Sequence, residues 1–283
     1  MPSEGSSQPL TQKSLALAAR ELAARDKTLA SILATYGDPP LWRRPTGFPT
    51  LVHIILEQQV SLKSAKSILT RLEAAVQPFT ALRFIEVGDT YLRSLGVTRQ
   101  KSAYILDLSS AIANEQLSFT KLARMSDDEA RLVLTRVKGI GLWSADVYLL
   151  MAMRRGDIWP AGDLALAVAM KDLHGLEQRP SPDELERLAE RWRPHRAVAA
   201  RMLWQYYLGK KFSPAKAQRR KERPQRRPIT VFLCVLLCVF APLREKTSSQ
   251  GSTATTSARP LHDGVAIFRR AFPTHSARAA APV

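Results

Sequence analysis

Apolar residues recur at spacings of three and four along most of the first 212 positions, and no stretch shows the alternation of a half-buried strand. Residues 13–35, KSLALAARELAARDKTLASILAT, gather Ala and Leu on one helical face before TYGDPP ends the run, which predicts one or two helices. Leu51 to Leu56 and the apolar face of Leu62 to Val76 predict two more, joined by the polar elbow Glu57-Gln58-Gln59-Val60-Ser61. Further helices are predicted over Arg99 to Asn114, Asp127 to Arg136, Leu142 to Met153, Leu164 to Leu173, Pro182 to Trp192 and Ala197 to Leu208. Ser126 followed by Glu129 has the form of a capping box, and Ser181-Pro182-Asp183-Glu184 supplies a cap, an N1 proline and two acids. The pattern is that of an all-α fold, with no fixed period that would indicate a solenoid.

The pattern changes after Phe212. AKAQRRKERPQRRP is basic and broken by proline, residues 229–243 are apolar, and the rest is rich in Ser, Thr, Ala and Arg. This divides the chain into a flexible N-terminus (1–12), a helical core (13–212) and a basic, partly apolar tail (213–283) expected to be disordered. The apolar run has 15 residues, fewer than the ~20 a helix needs to cross a bilayer, and contains Pro242. The tail therefore reads as a partner-binding or nucleic-acid-binding segment or as a dispensable extension, rather than as a membrane anchor.

Composition fits a globular core, with 45% hydrophobic and 24% charged residues in 283. The net charge of +17 points to a polyanionic partner, but residues 213–283 hold 13 basic and 3 acidic residues and so contribute +10 of it. Charge alone does not locate a site. Cys234 and Cys238, both in the tail, are the two cysteines, so the core has no thiol for a disulfide, a zinc site or an iron-sulfur cluster. The polar start MPSEGSSQPLTQK lacks the apolar stretch of a signal peptide, and the expected location is intracellular.

The chemistry-bearing stretch is residues 134–170, LTRVKGIGLWSADVYLLMAMRRGDIWPAGDLALAVAM. Lys138-Gly139-Ile140-Gly141 allows a tight hairpin between two helices, whose backbone N–H groups, with the start of the next helix, form an anion site suited to a phosphate. A glycine turn between helices is often only a turn. Here Trp143 follows it directly and Asp163 comes 20 residues later, opening the next helix. Asp163 can serve as that helix's N-cap, as a functional carboxylate, or as both.

Residues 134–170 resemble the helix-hairpin-helix and catalytic-aspartate signature of the DNA glycosylase superfamily, most of all its 3-methyladenine DNA glycosylase II branch. ILEQQVSLKSAKSIL, LGVTRQKSAYILDLSSAI and RWRPHRAVAARMLWQYYL resemble further blocks of that family in the expected order, so the similarity covers roughly residues 25–209. Two features depart from it: the extra N-terminal β-rich domain of some members is not expected here, and Lys138 stands where proline is common. The resemblance implies a two-lobed core that flips a damaged base out of double-stranded DNA. It gives Asp163 the role of stabilising the sugar cation, Trp143 and Trp42 a base pocket, and Gln59 the wedge, with Gln58 and Ser61 in the same elbow. Lys138, Gly139 and Gly141 become the phosphate contacts.

Trp143 occupies the position where bifunctional relatives carry a Schiff-base lysine, which implies hydrolysis without strand cleavage. An indole face also suits a cationic alkylated purine, chiefly 3-methyladenine and also 7-methylguanine. Tyr148, Trp192 and Trp204 are expected to pack in the core, and His195 to lie at the surface or cap a helix. No metal site and no organic cofactor are expected, although by family analogy hairpin carbonyls can take a monovalent cation. A monomer without a membrane partner is expected, and two other readings remain: a non-catalytic DNA-binding protein, and a glycosylase-lyase for oxidised bases.

Overall fold

The structure, a computed structural model, describes residues 8–212; the expectations for the tail and for residues 1–7 lie outside the described residues. The described residues are helical and include no strand.

The predicted 13–35 stretch forms two helices, α1 (Gln12–Arg25) and α2 (Lys27–Tyr36), divided at Asp26. Asp26 donates its backbone N–H to Leu22 O, closing α1, while its carboxylate accepts from Thr28 N and Leu29 N at 2.9 and 3.1 Å, opening α2. One residue with both cap functions explains why the apolar period runs on without a gap. Order also begins earlier than residue 13: Leu10 is buried, and its N–H donates to Arg154 O at 2.8 Å.

The next helices are α3 (Phe48–Glu57), α4 (Leu62–Ala75), α5 (Ala81–Ser94), α6 (Arg99–Ala113), the single turn α7 (Phe119–Leu122) and α8 (Asp127–Thr135). After the hairpin come α9 (Leu142–Met151), α10 (Leu164–His174), α11 (Pro182–Ala189), a 3-10 turn over Glu190–Trp192, and α12 (Arg196–Phe212). Both predicted capping boxes are present, at Ser126 with Glu129 and at Ser181 with Glu184. Neither α5 nor α7 was expected. α5 is broken at Gly88 (φ +70°); Ala81, Phe84 and Leu92 form its buried face, while Leu82, Ile85 and Tyr91 are exposed. α7 is too short for a period.

The helices share one continuous buried core and fall into two contacting groups. In one, α12 contacts α1, α2 and α10; in the other, α3 contacts α4, α6 and α9, α5 packs on α6, and α8 on α9. Trp159 and Trp192 pack with ring centroids 5.4 Å apart, and Trp192 Nε1 donates to Asp26 Oδ2 at 2.8 Å. Tyr148 is buried as expected, its hydroxyl accepting from Gly47 N at 2.9 Å, and His195 pairs with Glu21 at 2.9 Å. No helix of the described residues is long and apolar enough to cross a membrane.

Two buried cations brace this core through carbonyls. Arg201 is fully buried and donates to Leu41 O (3.1 Å), Ala197 O (3.1 Å) and Leu150 O (2.7 Å); burial pulls its guanidinium down to about 10. Lys101 Nζ donates to Leu56 O at 2.6 Å, and burial pulls the amine down to about 8. Arg201 therefore ties α9, α12 and the loop after α2 at one point. Arg201→Met, which fills the space but removes every donor, is expected to lower stability by about 2–4 kcal/mol. In urea unfolding this is a lower midpoint at an unchanged slope.

Candidate active site

The hairpin between α8 and α9 is anchored by α6. Gly139 has φ +86°, and a Cβ there would lie 2.2 Å from Cγ of Tyr104, so both conformation and space require glycine. Lys138 N–H donates to Asp107 Oδ2 at 2.9 Å, and Ile140 N–H to Val137 O at 3.0 Å. This corrects the expectation that the hairpin amides all face outward: these two are spent inside the protein. Gly141, by contrast, has φ −84° and nothing within 4 Å of where a Cβ would sit, so no internal contact demands a glycine there. It caps α9, whose first-turn N–H groups have no intrahelical acceptor, and its neighbour Leu142 is exposed.

The elbow after α3 is bonded to this hairpin. Gln58 Nε2 donates to Gly139 O at 2.8 Å and to Ser144 Oγ at 3.0 Å, so Gln58 is a strut between elbow and hairpin. Ser61 caps α4, accepting from Ser64 N at 3.2 Å. Gln59 alone of the three is exposed, with φ +55°, a strained conformation for a non-glycine residue.

Asp163 sits at the start of α10 and is 2% exposed. Its Oδ1 accepts from Leu166 N and from Trp204 Nε1, each at 3.0 Å, and its Oδ2 accepts from Trp143 Nε1 at 3.0 Å. Cap and candidate carboxylate are thus one group. Burial raises its pKa above the usual carboxylate range; the hydrogen bonds from Trp143, Trp204 and the helix amides pull the other way. Trp204 is therefore more than the core residue expected from its spacing, because its indole N–H is a ligand of Asp163.

Asp163 opens on a cavity of about 350 Å³ walled by Trp42, Trp143, Trp204 and Tyr207, with Val147 and Met151 as apolar lining and Arg44 and Glu57 as a polar part. The Trp42 and Trp204 rings meet edge to face at 6.2 Å. Trp42 is held with φ +42° between two tethers, Leu41 O to Arg201 and Arg44 N to Met151 O (3.1 Å). Burial and the Asp163 charge both raise the Tyr207 hydroxyl above its usual value. A separate cavity of about 530 Å³ near Arg179 and Arg187 includes none of these residues. The sequence-predicted Trp42, Trp143 and Asp163 are thus brought together. The sequence reading missed Arg44, Glu57 and Tyr207, which carry no motif of their own, although Glu57 opens the quoted elbow and Tyr207 lies in the quoted final block.

Among the described residues no cluster of three or more His, Cys, Asp or Glu side chains is arranged to hold a metal. The hairpin carbonyls Val137 O and Gly139 O accept from Ile140 N and Gln58 Nε2, which leaves each a second lone pair.

A helix-hairpin-helix whose second helix brings an indole N–H to a buried capping aspartate, beside an indole-walled cavity, is the arrangement of a nucleic-acid repair fold. The chain belongs to the HhH-GPD superfamily of base excision DNA repair proteins, whose family model matches residues 52–194. It is 27% identical over 195 residues to the alkylbase DNA glycosidase-like protein mag2 of Schizosaccharomyces pombe, a match covering 66% of this chain and 92% of that protein. It is 29% identical over 122 residues to the DNA-3-methyladenine glycosylase of Bacillus subtilis, covering 43% of this chain and 40% of that protein, less than half its length. Among solved structures, the DNA-3-methyladenine glycosidase of Bacillus halodurans superposes with a TM-score of 0.61 at 29% identity, over 67% of this chain and 88% of that one.

Gly139→Ala is expected to cost about 2–5 kcal/mol, from left-handed strain together with collision against the Tyr104 ring. In a Tyr104→Ala background the ring contacts are gone while Tyr104 Cβ stays 2.6 Å from the added Cβ, so the cost should fall in part, by about 1–2 kcal/mol, which a double-mutant cycle in urea measures. Equal costs in both backgrounds would show that the ring is not the obstacle.

Proposed function

We propose that this protein is a monofunctional DNA glycosylase that hydrolyses the N-glycosidic bond of alkylated purines, chiefly 3-methyladenine and also 7-methylguanine. The observation that carries this reading is the Asp163 carboxylate, buried beside a cavity walled by indoles and without a lysine in its lining. The superfamily and the alkylbase and 3-methyladenine names of the relatives support the substrate class.

In this mechanism the damaged nucleotide leaves the stack and its base enters the cavity. Unstacking costs a few kcal/mol, least where damage has already weakened the pairing. Gln59, exposed and held at positive φ on the elbow, fills the gap in the duplex. The N–H groups opening α9 at Gly141 receive a phosphate, for which the open space before Gly141 leaves room, and the exposed Lys138 side chain adds charge. Trp42 and Trp143 take the base; a purine alkylated at N3 or N7 is cationic, and an indole face contributes about 0.5–2 kcal/mol to holding it.

Such a base is already a good leaving group. As the C1′–N bond lengthens, positive charge builds on the sugar and Asp163 stabilises it. Water then bonds to C1′, its proton passes to the carboxylate, and an abasic site remains. The raised pKa of Asp163 suits it to accept that proton. The indole of Trp143 offers no amine for a Schiff base. In this reading residues 13–212 carry the whole activity, the substrate is damaged double-stranded DNA, one chain encloses one flipped base, and the protein works where DNA is held in the cell.

Incubation with methylated duplex DNA, with released bases resolved by chromatography and strands scored with and without alkali, should show 3-methyladenine release and breaks only after alkali. Borohydride should trap no covalent adduct. Asp163→Asn should lower release by at least about 10²–10³-fold while damaged-duplex binding persists. Undiminished release by that variant would exclude the mechanism.

A further inference from the structure

The cavity contains a second carboxylate that the mechanism above does not use. Glu57, the last residue of α3, is 6% exposed and lines the same cavity as Asp163. Its carboxylate is locked in place: Arg44 Nη1 donates to Oε2 and Nη2 to Oε1, each at 2.9 Å, and His53 Nε2 lies 3.3 Å from Oε1. A carboxylate has about four lone-pair sites, and a guanidinium five N–H donors, so a fork-on-fork pair leaves capacity on both partners. Among the described residues Oε2 has one contact, from Arg44. Arg44 lines the cavity as well, and its side chain is 22% exposed.

A buried ion pair contributes little to stability compared with apolar residues of similar size. What this one does provide is a fixed acceptor beside a fixed donor, facing a cavity otherwise rich in indole and aliphatic surface. The amine-bearing edge of adenine has the complementary order, an N6 amine that donates next to a ring nitrogen that accepts. Alkylation at N3 leaves that edge unchanged. In 1,N6-ethenoadenine the edge is bridged, and the exocyclic donor is gone.

We infer that Glu57 and Arg44 together read the hydrogen-bonding edge of the flipped base, Glu57 accepting from the exocyclic N–H and Arg44 donating to the neighbouring acceptor. The pocket then selects purines alkylated on the far side of the ring over purines whose amine edge is bridged. This rests on the glycosylase reading, because it assumes that a base occupies the cavity. A site built to bond an N–H discriminates strongly against an analogue lacking it, since its own polar groups are left unpaired.

The test uses the full chain and the free bases 3-methyladenine and 1,N6-ethenoadenine, titrated by intrinsic fluorescence, with Trp42, Trp143 and Trp204 in the cavity wall as reporters. The wild type should bind 3-methyladenine at least 10-fold more tightly than 1,N6-ethenoadenine. Glu57→Gln should weaken the first about 10-fold and the second less than 2-fold, so the ratio collapses towards one. Equal weakening of both bases would mean that Glu57 only holds the Arg44 loop, and unchanged affinity for both would mean that it does not touch the base; either result overturns the inference. Should Glu57→Gln unfold, Arg44→Lys, which keeps the charge but not the fork, is expected to lower the same ratio. Asp163→Asn should lose base release yet keep the 10-fold ratio. Absence of base release by the wild type would instead count against the glycosylase reading, whatever the ratio.

Discussion

The site depends on a carboxylate taken out of water and held by N–H groups from three parts of the chain. Asp163 is bonded by Trp143 on α9, Trp204 on α12 and Leu166 on its own helix, all at 3.0 Å. Burying an ionised carboxylate is costly unless it is hydrogen-bonded, and these donors offset part of that cost without adding a positive charge. A lysine or arginine in the same place would hold the carboxylate more firmly, but would also cancel the negative charge that a sugar cation needs. Two indoles bond it and leave its charge in place. They also wall the cavity, so the groups that hold the carboxylate are the groups that would face the base.

The other polar bonds of the core can be understood as support for that arrangement. Arg201 ties the loop before Trp42 to α9 and α12, the helices that bring Trp143 and Trp204. Gln58 joins the elbow to the hairpin, and Asp107 and Tyr104 fix the hairpin to α6. Lys101 ends α3 at Leu56 O, next to Glu57. Apart from the Tyr104 ring, which packs on Gly139, these side chains each satisfy a carbonyl or amide of a helix end or turn, and so brace the edges of a cavity to which the Trp42–Arg44 loop contributes one wall.

Much of the helical core was readable because its helices begin at recognisable caps and keep one apolar face. Asp163 was readable as a helix cap because it directly precedes the apolar run from Leu164, and the resemblance proposed a role for it. What could not be read was set by long-range contact. α5 has one buried face but leaves helical geometry at Gly88 in its middle. Trp204 has the spacing of a core residue and is one by burial; its bond to Asp163 depends on α12 crossing α10 at the right height. Glu57 and Arg44 are 13 positions apart on a helix end and a loop, and nothing local predicts their pairing. Conversely, the sequence made Gly139 and Gly141 look equivalent, whereas only Gly139 is demanded by internal packing.

The claim on which the account rests is that indole N–H bonds favour the ionised form of Asp163 against the burial that raises its pKa. Trp204→Phe keeps an aromatic ring and removes one N–H. Single-turnover base release from alkylated duplex, measured against pH for the wild type and this variant, tests it directly. Release should fall as pH drops through the Asp163 pKa, above the ordinary carboxylate range in the wild type. Because a hydrogen bond to the ionised form lowers that pKa, losing one should move the acid limb of the variant to higher pH. A limb at the same pH in both proteins, with only a lower plateau, would contradict it.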